Sequence, residues 1–305
     1  MLALSGLIQV ALAMLLAPLL LSIIHRTKAV FAGRRGQPWL QPYWELGKLL
    51  RKSAVYSHTT TCVFVVGPIA TCAAALLALL FLPLAGAPAC ISFSGDFVLI
   101  AYLLGLARFC TVTSALDTGS SFEGMGASRE VCFSALAEPA LLLALTSLAA
   151  LTHQLSLTEV MGRLGHGVLL SATAPALLLA AAALMIVFLA ENARIPVDDP
   201  TTHLELTMIH EVMVLDHSGP DFALIQYGAS LKLWILGSLL IGVLTPVRSG
   251  HLPTDLAAGL LGLVLLAVLT GCIESGMARL RLLRVPQFLI AASVLATLAL
   301  VLVVR

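Results

Sequence analysis

Charged residues are scarce in this chain of 305 residues: Lys, Arg, Asp and Glu make up 11% of it. Soluble globular domains carry about 25% charged residues. Hydrophobic residues reach 59%, and the mean hydropathy is +1.02. This balance excludes an ordinary water-soluble globule. The formal net charge of +1 gives no reason to expect a nucleic-acid partner.

Paired cysteines are also missing. The six cysteines lie mostly inside apolar runs, and no two have the C-x-x-C spacing typical of zinc and iron–sulfur sites. We therefore predict buried, structurally inert thiols and no metal bound by the chain. The first apolar run, Leu2 to Ile24, has no basic segment before it. It is predicted to be a retained membrane span rather than a cleaved signal peptide.

Long apolar runs account for most of the sequence. A helix needs about 20 apolar residues to cross the hydrocarbon region of a bilayer. Eight windows meet this requirement, at 2–24, 62–84, 97–116, 131–152, 168–190, 222–245, 255–273 and 286–304. The prediction is an all-α integral membrane protein with eight transmembrane helices, forming a single polytopic domain over residues 1–305. Its large loops are the first, 25–61, and the central one, 191–221.

The distribution of Lys and Arg predicts the orientation of these spans. Twelve of the seventeen lie in the four odd-numbered loops, and three lie on the opposite side. The positive-inside rule therefore places the odd-numbered loops in the cytoplasm and both termini outside. All the large polar loops share the cytoplasmic face, where we expect a soluble partner to dock.

The central loop, Glu191 to Asp221, concentrates the polarity of the chain. It holds seven of the sixteen acids and three of the eight histidines. A helix is predicted to begin near residue 200 and to run to about Leu215. His203 and His210 would share one face of it, but seven residues separate them by about 10.5 Å, too far for one ion without further ligands.

The other polar segments are shorter. The first loop is predicted to form a short helix from Tyr43 to Lys52, lying at the membrane interface, gripping a soluble partner, or both. Asp117 to Glu130, with three glycines, is predicted to be a tight loop. The last loop, CIESGMARLRLLRVP, is expected to place its three arginines opposite acids of the central loop.

Ionisable residues also occur inside the predicted spans, where a charge costs at least about 2.5–3.5 kcal/mol. They are therefore expected to face one another rather than lipid. Static ion pairs are one interpretation, and proton conduction along linked acids and bases is the other. The candidates for a proton path are Glu138, Glu191, Lys232, Arg108, Asp117, Glu130 and Glu274.

Two local motifs resemble those of the membrane subunit shared by respiratory complex I, where it is the H subunit, and energy-converting [NiFe] hydrogenases. The first-loop motif consists of Arg35-Gly36, Gln41-Pro42 and Lys48. The central-loop motif, E-x-x-R-x-P-x-D, consists of Glu191, Arg194, Pro196 and Asp198. Complex I continues with an acidic E-S-E run, whereas this chain has His203-Leu204-Glu205. This departure is similar to the formate hydrogenlyase and hydrogenase-4 type.

The resemblance implies a non-catalytic subunit in the cell inner membrane that anchors a soluble hydrogenase and links its electron transfer to proton or sodium translocation. The implied partners are a [NiFe] hydrogenase large subunit, an iron–sulfur small subunit and antiporter-like membrane subunits. These partners would carry the [NiFe] centre and the [4Fe-4S] clusters, and this chain would bind no cofactor. First-loop docking is assigned to Arg34, Arg35, Lys48 and Arg51. Central-loop coupling and docking are assigned to Arg194, Asp198, Asp199, His203, Glu205, His210, Glu211 and Asp216.

Three alternatives remain at this point. The chain could be the H subunit of an NADH:quinone oxidoreductase, with a quinone entering between spans. It could be a secondary transporter, although no pair of interrupted spans recurs in its two halves. It could also be a structural anchor in which the buried charges merely pair.

Overall fold

The computed structural model describes residues 2–84, 86–164, 173–199, 208–245 and 251–305. These ranges are almost entirely helical and contain no β-strand. The helices are α1 (Leu2–Phe31), α2 (Gln41–Leu50), α3 (Cys62–Leu80), α4 (Asp96–Asp117), α5 (Ser121–Thr152), α6 (Leu157–Arg163), α7 (Ala174–Glu191), α8 (Gly219–Leu244), α9 (Leu252–Gly276) and α10 (Val285–Val304). Short 3-10 turns cover Glu211–Val214 and Leu282–Arg284.

Eight of these helices are long and apolar enough to cross a membrane, which confirms the predicted class and number of spans. They are α1, α3, α4, α5, α7, α8, α9 and α10. The most deeply packed span is α8, which runs through the middle of the bundle, and the least packed is α10. The fully buried Trp234 of α8 lies in the core that the spans share.

Small residues allow the outer helix α10 to pack closely. Ala292, Ala296 and Ala299 recur at helical spacing and are fully buried. On α5, Ala140 and Ala144 are also fully buried, and α5 and α10 pack against each other. Membrane helices lack a strong hydrophobic drive to associate, so close backbone approach at small residues provides the contact energy.

The prediction of a loop from Asp117 to Glu130 was wrong. Only residues 118–120 separate α4 from α5, and α5 begins at Ser121. Gly124 and Gly126 lie inside α5 rather than in turns. Gly126 is needed for close approach, because a Cβ there would overlap the Val212 side chain and lie 3.1 Å from the Ile209 carbonyl oxygen.

The predicted helix of the central loop ends differently from expectation. Residues 208–210 are not helical, and only a 3-10 turn, Glu211–Val214, precedes α8. The cause is Asp198, whose carboxylate accepts hydrogen bonds from the backbone N–H groups of Ile209 (3.3 Å) and His210 (3.2 Å). The start of the predicted helix lies outside the described residues, as do His203 and Glu205.

One end of the bundle carries most of the polar segments. This polar end is formed by residues 32–61, 118–120, 192–199, 208–218 and 277–284. Its segments hold one another: the N–H of Leu280 donates to the Pro196 carbonyl (2.9 Å), and the N–H of Val55 donates to the Ser218 hydroxyl (3.1 Å). The short helix α2 matches the predicted helix of the first loop and has no buried residue.

Candidate functional site

A single arginine inside the membrane bundle is held by three carboxylates. Arg108 of α4 forms ion pairs with Glu191 at 2.6 Å, with Glu130 at 3.2 Å and with Glu138. The side chain of Arg108 is only 8% exposed. Burying an unpaired charge is very costly, so the three acids are what permits an arginine here.

Helix geometry explains why these acids reach one cation. Glu130 and Glu138 lie on α5 eight residues apart, or about 12 Å along the helix axis. Their side chains converge on the guanidinium of Arg108, whose five N–H donors can serve several carboxylates at once. Glu191 reaches it from the last residue of α7.

Lys232 of α8 joins the same group. Its Nζ lies 3.1 Å from the carboxylate of Glu191, which is therefore held between two cations. Glu191 is only 7% exposed, so both contacts are formed largely out of water. Four helices, α4, α5, α7 and α8, thus meet at one carboxylate-rich centre.

The network continues from this centre to the polar end. His210 places Nε2 3.1 Å from Glu130 and Nδ1 3.3 Å from Asp198. Arg279, in the segment after α9, pairs with Asp198 at 2.9 Å. This pair confirms for Arg279 the expectation that the arginines of the last loop face acids of the central loop. We call the eight linked side chains the charged network: Arg108, Glu130, Glu138, Glu191, Asp198, His210, Lys232 and Arg279.

The surroundings of Asp198 and His210 shift both pKa values. Burial opposes ionisation of Asp198, but hydrogen bonds from His210 and the charge of Arg279 outweigh it and hold the pKa of Asp198 below its ordinary range. Burial likewise opposes protonation of His210, but the carboxylates of Glu130 and Asp198 outweigh it and raise the pKa of the imidazole. Each group therefore favours its charged form.

Glu274 lies in a second, separate cluster. Its side chain is fully buried on α9 and pairs with Lys28 of α1 at 2.9 Å and with Arg194 at 3.3 Å. The sequence grouped Glu274 with Arg108, whereas the structure gives it different partners. Arg194 was assigned to central-loop coupling and docking, but it is only 5% exposed. Its pair with Glu274 connects the central loop to α9, and Lys28 connects α1 to the same carboxylate.

Asp117 also lies apart from the charged network. Its carboxylate accepts hydrogen bonds from the backbone N–H (2.7 Å) and the hydroxyl (2.8 Å) of Thr61, and from the N–H of Phe64 (3.3 Å). These are the donors at the start of α3, so Asp117 caps that helix. No ion pair to Asp117 occurs among the described residues.

A cavity of about 390 Å³ opens beside the charged network. Its lining combines apolar side chains of α1, α3, α4 and α8 with polar and charged ones. The apolar side chains include Leu21, Ala75, Leu104 and Ile225, and the polar and charged ones include Arg108, Glu130, Arg194, His210, Lys232 and His25. Sequence reasoning missed His25, whose only signal was its position directly after the first apolar run.

The predicted docking cations are solvent-exposed. Arg34, Arg35, Lys48 and Arg51 lie on and around α2, at the polar end. The exposed Trp44, at 60%, lies among them. Asp216 is exposed as well, whereas Asp198 is buried and cannot serve as a docking contact. Asp199 and Glu211 are partly exposed.

Within the described ranges, no group of three His, Cys, Asp or Glu side chains is arranged to hold a metal ion. The ionisable groups of the site instead contact one another. The arrangement can stabilise charge and exchange protons between neighbouring carboxylates, imidazole and water.

Comparison with known proteins identifies a matching family and two relatives of this chain. The sequence profile of the family described as "NADH dehydrogenase" matches residues 4–305. Formate hydrogenlyase subunit 4 of Escherichia coli (strain K12) is 31% identical over 303 residues, covering 97% of this chain and 96% of the relative. Hydrogenase-4 component C of the same organism is 30% identical over 284 residues, covering 91% and 88%.

A solved structure has the same fold. It belongs to the membrane-bound sulfane sulfur reductase, an archaeal respiratory membrane complex. The matching chain superposes with a TM-score of 0.82 at 20% sequence identity, and the match covers 98% of both chains. This likeness supports an eight-span fold over the whole length of the chain.

Proposed function

Because the chain belongs to the NADH dehydrogenase family, we propose that it is the membrane-anchor and coupling subunit of an energy-converting [NiFe] hydrogenase of the formate hydrogenlyase type. In this role it docks a soluble hydrogenase arm and links its electron transfer to ion translocation. The two relatives named as hydrogenase or hydrogenlyase components support this branch, since each aligns over most of its own length.

The observation that carries the proposal is the charged network. It runs without a break from Arg279 and Asp198 at the polar end to Glu138 and Lys232 within the spans. A charge change at a docked redox partner would be felt first at the polar end. Because each member contacts the next, it would shift proton affinity along the network toward the membrane.

Two surfaces of the chain suit the partners that the family resemblance implies. The exposed cations around α2 suit an acidic patch on a hydrogenase large subunit and its iron–sulfur small subunit, which would carry the [NiFe] centre and the [4Fe-4S] clusters. Glu138 is 48% exposed on the side of the bundle and suits a contact with an antiporter-like membrane subunit. The chain itself would hold no cofactor. With the positive-inside orientation, the polar end faces the cytoplasm and both termini face outward across the inner membrane.

The cavity favours a second candidate in the same family, a quinone-site subunit of an NADH:quinone oxidoreductase. A lining that combines apolar and charged side chains suits a ligand with a polar ring and an apolar tail. In that case a quinone-site inhibitor would stop turnover of the complex. Hydrogen evolution that ignores such an inhibitor would favour the hydrogenase branch.

The test is to tag the chain, extract it in mild detergent and identify the proteins that accompany it. Hydrogen evolution from reduced viologen is then assayed in the eluate. Nickel–iron and iron–sulfur subunits together with hydrogen evolution are the expected result. NADH dehydrogenase subunits with quinone reductase activity would instead move the protein to the second candidate.

A further inference from the structure

The imidazole of His210 has a carboxylate at each of its two nitrogens. Glu130 lies 3.1 Å from Nε2, and Asp198 lies 3.3 Å from Nδ1. A neutral imidazole carries only one N–H, so one of its nitrogens would present a lone pair to a carboxylate. The protonated ring donates from Nδ1 to Asp198 and attracts the carboxylate of Glu130 at Nε2 by its positive charge. The geometry therefore fits the imidazolium form.

The balance of charge in the network leads to the same form. Without His210, the charged network holds three cations and four carboxylates. A proton on His210 brings the sum over these eight side chains to zero, and its loss leaves them with one net negative charge. The charged groups that surround the ring come from α4, α5, α8 and the segments beside α7 and α9. They are Arg108, Arg129, Glu130, Lys232, Asp198, Glu211 and Arg279.

His210 also connects the segment before α8 to helix α5. It stands directly before the 3-10 turn, and its contact with Glu130 ties this turn to α5. The guanidinium of Arg129 donates to the Met208 carbonyl (2.9 Å), and Gly126 leaves room for Val212 against α5. We call 208–214 the docking turn. Its amides at Ile209 and His210 are held by Asp198.

We propose that His210 is a protonation-dependent clasp: the imidazolium holds the docking turn against α5, and loss of its proton releases the turn. This inference rests on the proposed function, since it names the element through which the polar end and the membrane helices are coupled. The ring is 22% exposed and lines the cavity, so the released proton passes to water there and the charge of the network changes by one unit.

Burial opposes protonation of His210, but the carboxylates outweigh it and raise the pKa of His210 above the ordinary value of 6.5. The imidazole therefore keeps its proton to a higher pH than a free histidine does. A docked partner that brings negative charge near the polar end would raise the proton affinity of His210 and so favour the docking turn held against α5. Positive charge there would lower that affinity and favour release of the turn.

Hydrogen–deuterium exchange of the purified full complex tests the clasp directly. After correction for the chemical exchange rate, amides of the docking turn should lose protection by about ten- to a hundredfold as pH rises through the pKa of His210, as expected when bonds to a charged group are lost. In His210→Gln, protection should be low at every pH. In His210→Lys, which keeps a charge, it should no longer depend on pH in this range.

Two further variants sharpen the test. Glu130→Gln removes one carboxylate, so release should occur at lower pH than in the wild type. His217→Gln is the matched control, because His217 is a buried histidine of the same segment that stacks on Phe64 and lies outside the charged network. Its docking turn should titrate as in the wild type.

Proton translocation in proteoliposomes then separates this inference from the proposed function. Both His210→Gln and His210→Lys should translocate no protons for the hydrogen that they evolve from reduced viologen. A docking turn whose protection does not change with pH, or translocation that is normal in either variant, would overturn the clasp alone. A wild-type complex that evolves no hydrogen, or translocates no ions, would overturn the proposed function and the clasp with it.

Discussion

At the scale of single residues, Arg108 illustrates how buried charges constrain one another. Its three carboxylates differ in exposure: Glu130 and Glu191 are 6% and 7% exposed, whereas Glu138 is 48% exposed. Removing one partner of a buried pair typically costs 3–5 kcal/mol, whereas a half-exposed pair is compensated by its surroundings. The same Glu→Gln change should therefore have different consequences at the two positions.

We expect Glu191→Gln to lower the thermal stability of the complex and to abolish proton translocation. Glu138→Gln should abolish translocation while leaving stability nearly unchanged, because this carboxylate is half-exposed. Thermal melting and proton uptake by proteoliposomes measure the two effects. Glu159→Gln, on the exposed face of the short helix α6, is the control. Normal translocation in both network variants would show that the buried charges are static ion pairs.

The two titrating groups at the polar end predict how stability depends on pH. The depressed pKa of Asp198 means that its contribution is complete above the ordinary value of 3.8 and is lost as pH falls through the depressed pKa. The raised pKa of His210 means that its contribution is complete below 6.5 and is lost as pH rises through the raised pKa. Stability should be greatest between these limits.

Melting temperatures of purified wild-type and variant complexes across this range test the assignment. Asp198→Asn should flatten the acid side of the profile, and His210→Gln should flatten the alkaline side. Because each group shifts the pKa of the other, each variant should also weaken the opposite side of the profile. A profile that keeps both sides in both variants would assign the pH dependence to other groups.

The sequence could predict that Arg108 needs acidic partners, because an unpaired charge inside a span is so costly. It could not identify which acids, since Glu130, Glu138 and Glu191 lie between 22 and 83 residues away in the chain and on two other helices. Asp117 and Glu274 appeared equally eligible in sequence. Only the packing of the bundle assigns the first to a helix cap and the second to a separate cluster.

At the scale of elements, the close packing of the docking turn against α5 depends on the absence of a side chain at one glycine. Gly126 lets Val212 and the carbonyl of Ile209 approach the helix backbone. The sequence could not distinguish this role from that of a turn glycine, which is why the first ten residues of α5 were predicted to be a loop. The central-loop helix was mispredicted for a related reason. The carboxylate of Asp198 accepts hydrogen bonds from the backbone N–H groups of Ile209 and His210, which would otherwise bond within a helix.

Gly126→Ala should force the docking turn away from α5 and reduce coupling by at least about tenfold, since a backbone carbonyl cannot move aside as a flexible side chain can. Gly124→Ala is the matched control: a Cβ there has no described atom within 4 Å, and alanine stabilises a helix interior by about 0.5–1 kcal/mol relative to glycine. Proton translocation per hydrogen evolved measures coupling. Equal coupling in the two variants would contradict the close approach.

At the scale of the whole molecule, the distribution of charge predicts where the soluble arm attaches. Reversing Arg34, Arg35, Lys48 and Arg51 to Glu should strip hydrogenase subunits from the tagged chain while leaving its insertion unchanged. High salt should weaken the wild-type contact in the same direction, because exposed charges are screened. Arg305→Glu, at the far end of α10, is the control. Unchanged recovery of the soluble subunits would remove the first loop from the docking surface.

The membrane class was predictable because hydrocarbon imposes one requirement on every span, a long apolar helix. Each of the eight apolar windows in the sequence therefore corresponds to one membrane-spanning helix of the structure. The ends of those helices were less predictable, as α1 continues seven residues beyond the apolar window that predicted it, to Phe31. The helix continues through the polar residues His25, Arg26 and Lys28, because backbone hydrogen bonds rather than hydropathy determine where a helix ends.

The half-exposed carboxylate of Glu138 has a consequence for biogenesis. Midway along α5, this side chain would face lipid in a chain inserted alone, at a cost that its pairing with Arg108 reduces only in part. A neighbouring membrane subunit that covers Glu138 removes that cost. Cells that lack the neighbour should therefore degrade the orphan chain quickly, and Glu138→Leu should prolong its lifetime. Glu138, which we assign to the coupling pathway, would thus also determine whether an unassembled chain is degraded.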